Sequence, residues 1–205
     1  MNAVASGGIK RVLLFIASFL YFFCANAQEH ELKDGAALYS FGLGYERMPD
    51  AYSSKGIALD VRVRFYTSGR LFIEMMGHWG SHEGDKEVIQ NSRPFSIQDE
   101  RHCLLGAFGP GYEIFQSENG LFDIYVKGLA GYGVRHAEYD DYQLSGNEDG
   151  TVILGCQKNK KGITFVAGTG ADLRFRRWTL TFSVDALYVG NGWDIAPMVS
   201  FGFFL

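Results

Sequence analysis

Apolar side chains recur at every second position along most of the chain, and no stretch sustains a helical period. Residues 56–66 read GIALDVRVRFY. Ile57, Leu59, Val61, Val63 and Phe65 share one face, and Ala58, Asp60, Arg62, Arg64 and Tyr66 share the other. A period of two marks a strand whose faces meet different surroundings. The same split predicts eight strands, over residues 39–45, 57–65, 71–79, 104–114, 122–134, 165–175, 178–188 and 195–205. Their connections differ at the two ends. Residues 67–70, 116–120 and 176–177 form short turns. Residues 46–56 form a medium loop, 81–101 and 137–161 form long polar loops, and 190–193 form a short one. This describes one domain, an up-and-down meander with unlike ends. Pro110 and Pro197 fall inside strands, where proline removes a ladder bond, and a bulge is expected at Gly109-Pro110-Gly111.

The N-terminus stands apart from this pattern. Lys10 and Arg11 precede an uncharged apolar run over residues 12–23, and Ala25-Asn26-Ala27 supplies a small-x-small cleavage site. Residues 1–27 read as a secretory signal peptide. The run of about twelve apolar residues spans only ~18 Å as a helix, against a bilayer core of ~30 Å. Residues 28–35 form a short periplasmic N-terminal segment, and residues 36–205 form the strand domain. Cleavage removes two bases and no acid, so a chain of net charge −4 becomes more acidic. That argues against nucleic-acid binding.

Composition narrows the class further. Aromatic residues make up 15% of the chain and charged residues 20%, with 26 Gly, which excludes a disordered or coiled-coil chain. The mean hydropathy of −0.05 suits a water-soluble protein only if alternation is ignored, since alternating faces average to zero.

Face composition separates a barrel in water from a barrel in lipid. The apolar face carries no charge on any of the eight strands. The opposite face carries Asp60, Glu74, Glu113, Asp123, Asp172 and Asp185 with Arg62, Arg64, Lys127, Arg135 and Arg174, interspersed with Gly42, Gly44, Gly131, Gly133, Gly168, Gly170 and Gly202. Small residues and balanced charges suit the lumen of a narrow closed barrel. Turning such a face outward would place bases in lipid at about 2–4 kcal/mol each near the midplane. About eleven residues at ~3.4 Å, tilted ~40°, rise ~28 Å, enough for an apolar band ~25 Å tall. Tyr39, Phe65, Phe175 and Trp178 form a candidate aromatic girdle at one interface, and Tyr45, Trp79, Tyr132 and Tyr188 one at the other. The expected fold is all-β, an eight-stranded antiparallel up-and-down transmembrane β-barrel.

The signal peptide, the eight alternating strands and the C-terminal run Val199-Ser200-Phe201-Gly202-Phe203-Phe204-Leu205 resemble the small bacterial outer-membrane β-barrels of the OmpA/OmpX type. The resemblance implies a bacterial outer-membrane location with both chain ends in the periplasm. It implies contact with outer-membrane lipid and lipopolysaccharide, and passage through the barrel-insertion machinery. It also implies a non-enzymatic structural or surface role through long extracellular loops, with the extracellular partner unknown. OmpW-like barrels, which conduct or bind small hydrophobic molecules, are the alternative.

Other candidate chemistry is sparser. His78-Trp79-Gly80-Ser81-His82-Glu83 holds the residue types of a lipid A-modifying barrel enzyme, but not the His-x-Ser-Asn pattern of a deacylase. A polar strand end explains it, so no catalytic residue is expected. Glu138, Asp140, Asp141, Glu148 and Asp149 match no calcium-loop spacing and read as a solvated loop, so no metal site or cofactor is expected. Cys103 and Cys156 remain after export to a compartment that permits disulfides, and a bond between them would tie the two long loops together.

Overall fold

A computed structural model describes residues 35–48, 56–90, 93–143 and 151–205. The expected signal peptide, residues 1–27, and residues 28–34 lie outside the described residues. Eight strands run β1 (Ala37–Glu46), β2 (Gly56–Ser68), β3 (Leu71–Gln90), β4 (Arg93–Gln116), β5 (Phe122–Gln143), β6 (Thr151–Phe175), β7 (Trp178–Val189) and β8 (Gly192–Phe204). Each pairs antiparallel with its sequence neighbours. β1 closes onto β8 from Leu38↔Phe204 to Gly44↔Met198, giving a closed barrel with no free edge at that level.

The alternation explains the closure. Phe41, Leu43, Ile57, Val61, Met75, Leu104, Phe108, Phe182, Val184 and Val199 face outward and are exposed. Their strand neighbours are buried inside. Aromatic rings cluster toward both ends of this outer face. Tyr39 stacks on Phe203 at 5.8 Å and Trp178 on Phe201 at 5.0 Å near the chain ends. Tyr188 packs against Trp193 at 5.1 Å at the far end. The lumen holds two apolar clusters. One, with Leu38, Tyr66, Phe72 and Tyr125, lies near the chain ends, and the other runs from Met76 and Leu105 to Val189 and Met198.

Turn chemistry fits the short connections. Gly190 and Asn191 both adopt positive φ, 57° and 71°, as a two-residue hairpin turn with the twist of its strands requires. Three differences from the sequence reading emerge. The described parts of 81–101 and 137–161 are strand and not loop. β3 and β4 continue paired to Gln90↔Arg93, and β5 and β6 to Gln143↔Thr151. Alternation fades in the sequence there while the backbone ladder continues. Register is unbroken at Pro110, which pairs with Ile73. The ladder to β5 skips Gly109 and Pro110, where proline offers no N–H, and the bulge falls between Glu113 and Phe115 instead. Finally, β8 starts at Gly192, earlier than the expected residue 195.

β1, β2, β7 and β8 span 10, 13, 12 and 13 residues, whereas β3 to β6 span 20, 24, 22 and 25. The barrel therefore carries a four-stranded sheet rising from one side. β4 and β5 stay paired within it up to Asp99↔Tyr139.

Candidate functional site

Alternation brings all eleven charged residues of the polar face into the lumen, where each is buried. Arg62 donates from Nε to Asp60 at 2.8 Å, from Nη2 to Asp185 at 2.8 Å and from Nη1 to Ser183 at 3.1 Å. Lys127 donates to Glu74 at 2.6 Å and lies 3.1 Å from Asp185. Arg64 donates to Asp172 at 2.5 Å and to Glu74 at 3.2 Å. Arg174 pairs with Glu113 and lies 2.6 Å from Asp123. Thr181 donates to the second oxygen of Asp172 at 2.6 Å.

These contacts interlock. Glu74 is shared by Lys127 and Arg64, Asp185 by Lys127 and Arg62. The network reaches from β2 to β6 and β7 and from β5 to β3, crossing the lumen. The Arg64 guanidinium also lies over the rings of Tyr125 and Phe72, at 4.1 and 4.4 Å, which adds a cation–π attraction to its ion pairs. Glycine makes the room. A Cβ at Gly111 would enter the Phe72 ring, and one at Gly168 would meet the Asp185 carboxylate. An ion passing between groups paired this tightly would have to break several charge-assisted bonds at once.

Arg135 stands apart from the main network. It pairs with Asp194 on β8, a residue the sequence reading placed beside a loop rather than in the lumen. Glu46, assigned to a loop, and His78 and His82, assigned to a polar strand end, are also buried inside. The parity of β3 carried the signal for the histidines: Glu74, His78 and His82 all lie on its even face. Ser81 lies on the opposite face with Trp79, so the barrel wall separates its hydroxyl from both imidazoles. Neither imidazole can therefore share a proton with the Ser81 hydroxyl.

Cys103 is a free, buried thiol, which corrects the expected disulfide with Cys156. Cys103 pairs across the ladder with Arg135 of β5, whereas Cys156 pairs with Tyr139 of the same strand. Four residues along the strand and two strand spacings put the Cα atoms roughly 17 Å apart, against a limit of about 7 Å. Of the acidic cluster, Glu138 is exposed, and Glu148 and Asp149 lie outside the described residues.

No protein-family model matches the chain, and no match is found among curated protein sequences. Solved structures do resemble it. The crystal structure of Ail, the attachment invasion locus protein of Yersinia pestis, aligns with a TM-score of 0.57 at 14% identity, covering 84% of this chain and 100% of that one. Ail in complex with the heparin analogue sucrose octasulfate aligns with a TM-score of 0.55 at 13% identity over the same shares. The outer membrane protein OprG of Pseudomonas aeruginosa aligns with a TM-score of 0.49 at 14% identity, covering 87% of this chain and 99% of that one. The fold is that of the small eight-stranded outer-membrane barrels.

Proposed function

We propose that the protein sits in the bacterial outer membrane as a non-enzymatic barrel and acts through the sheet that projects from it, with both chain ends in the periplasm. The observation that carries this reading is the pairing of an ion-locked lumen with four strands of 20 to 25 residues on one side of the barrel. The apolar outer face supplies the membrane anchor, and its partners are outer-membrane lipid and lipopolysaccharide. The projecting sheet supplies the interaction surface. β7 pairs with β6 only from Phe165 onward, so residues 151–164 of β6 extend past it as a strand edge. Such an edge presents backbone N–H and C=O groups to an extended partner segment. The fold shared with Ail, an attachment protein by name, agrees with a role at the cell surface.

Planar-bilayer recordings test the reading together with cell-surface assays. The intact barrel is expected to give no single-channel conductance. Shortening the two hairpins to the barrel rim is expected to leave folding intact and to abolish surface contacts made by cells expressing the protein. Steady conductance through the intact barrel would favour the narrow conduit instead. A change in lipid A mass between cells with and without the protein would reveal an enzyme.

A further inference from the structure

The far end of the lumen holds a second, smaller cluster that the main ion network does not use. Glu46 of β1, Cys103 of β4 and Asp194 of β8 are each buried, and one side-chain donor atom from each lies within 4.8 Å of the others. Bonds of about 2.0–2.3 Å hold tetrahedral ligand atoms ~3.3–3.8 Å apart, so these three share one cation after closing by at most about 1.5 Å. The histidines of β3 flank the same carboxylate. His78 Nε2 and His82 Nε2 lie 3.5 and 3.7 Å from Glu46 Oε2. Those distances exceed the usual 2.7–3.2 Å of a hydrogen bond. They are near the separation, about 3.4 Å, of two N and O ligands sharing one tetrahedral zinc.

Satisfaction of the polar atoms points the same way. Neither oxygen of Glu46 and none of the ring nitrogens of His78 and His82 has a hydrogen-bond partner among the described residues, although both histidines are 1% exposed and Glu46 is 0%. Buried polar groups are satisfied in the great majority of cases. Asp194 gives one oxygen to Arg135 and keeps Oδ1 unpartnered, so Arg135 orients the carboxylate and leaves it a free ligand atom. The backbone is shaped around the cluster. A Cβ at Gly80, between the two histidines, would enter the Glu46 carboxylate. A Cβ at Gly56 would enter the His82 ring, and one at Gly192 would meet the Arg135 guanidinium.

We propose that Glu46, Cys103 and Asp194, with His82 and His78, form a site for a divalent transition cation of the zinc class at this end of the lumen. A thiolate and imidazoles beside carboxylates select zinc or cobalt over magnesium and calcium, which take oxygen alone. The cation compensates a carboxylate that is otherwise buried without a hydrogen bond, and it ties β1, β3, β4 and β8 together. This goes beyond the surface role proposed above and does not depend on it.

Cobalt(II) titration of the metal-stripped, refolded full chain tests the site, with zinc as competitor and gel heat-shift as the folding control for every variant. The expected result is one cobalt per chain with a thiolate-to-cobalt absorption band, displaced by zinc and not by magnesium. The band is expected to vanish in Cys103→Ser and to persist in Cys156→Ser. Glu46→Gln and His82→Ala are expected to weaken binding by roughly 100-fold, since the loss of a mere orienting partner costs about 10–100-fold. Should Glu46→Gln fail to fold, the Cys103→Ser and Cys156→Ser pair decides alone. Absence of the band, or a band lost in Cys156→Ser and kept in Cys103→Ser, overturns the site. So does binding abolished by His102→Ala and His136→Ala, whose partly exposed rings lie on the outer face.

Discussion

Arg62, on the second strand, donates to Asp185, on the seventh, at 2.8 Å across 123 residues of chain. The barrel closes through its first and eighth strands, so this bond runs through the lumen between walls that are not neighbours. It fixes the separation of those walls in a way that ladder hydrogen bonds, which act only between adjacent strands, do not.

Arg62→Ala leaves Asp60 and Asp185 buried, with Asp60 deprived of the guanidinium it holds. Removing one partner of a buried pair costs about 3–5 kcal/mol. Urea unfolding of the refolded variant is expected to show a loss of that size. A loss below about 1 kcal/mol would be the value of an exposed pair, and would place Arg62 in contact with water.

Outward-facing positions are expected to tolerate charge according to depth. Val61→Arg, in the apolar band, should cost about 2–4 kcal/mol in phospholipid bilayers, and Tyr132→Arg, toward the far rim, about 0–1 kcal/mol. Equal costs at the two sites would mean that the apolar face does not meet a bilayer in this orientation.

Cysteine substitutions read the orientation of the barrel. In a background lacking native thiols, Ser96→Cys lies in the projecting sheet and Glu118→Cys in the turn beside the chain ends. Both positions are exposed. A membrane-impermeant maleimide added to intact cells is expected to label position 96 and to spare 118. Labelling of 118 alone would invert the barrel.

Thiol counting checks the correction at Cys103. Denatured without reductant, the exported chain is expected to expose Cys103 and Cys156 as two free thiols. In the folded barrel Cys103 is expected to resist modification, since its side chain is buried. A denatured chain with no free thiol would restore the disulfide.

How much of this was legible beforehand follows from where alternation persists. Asp60, Arg62 and Arg64 lie at alternate positions between Val61, Val63 and Phe65, so one strand read correctly assigns both faces at once. Across eight strands this placed the eleven charged residues inside. The signal fails where both faces are wet. At residues 83–87 the sequence runs without an apolar residue and so without alternation, and the strand is held there by pairing with β4, which local sequence does not encode.

The sequence by itself determined the all-β class, the strand count and the inside or outside facing of side chains in the strands that alternate, because a period of two is a local property of the chain. Only the tertiary structure decided which inward residues meet. Closure sets β1 beside β8, and register sets the height of each residue. That places Glu46, Cys103 and Asp194 together although they are far apart in the chain, and keeps Cys103 away from Cys156, four residues farther along the barrel wall. Register is the sum of turn lengths, bulges and side-chain fit around the whole ring, and a one-residue change in any of them moves every partner beyond it.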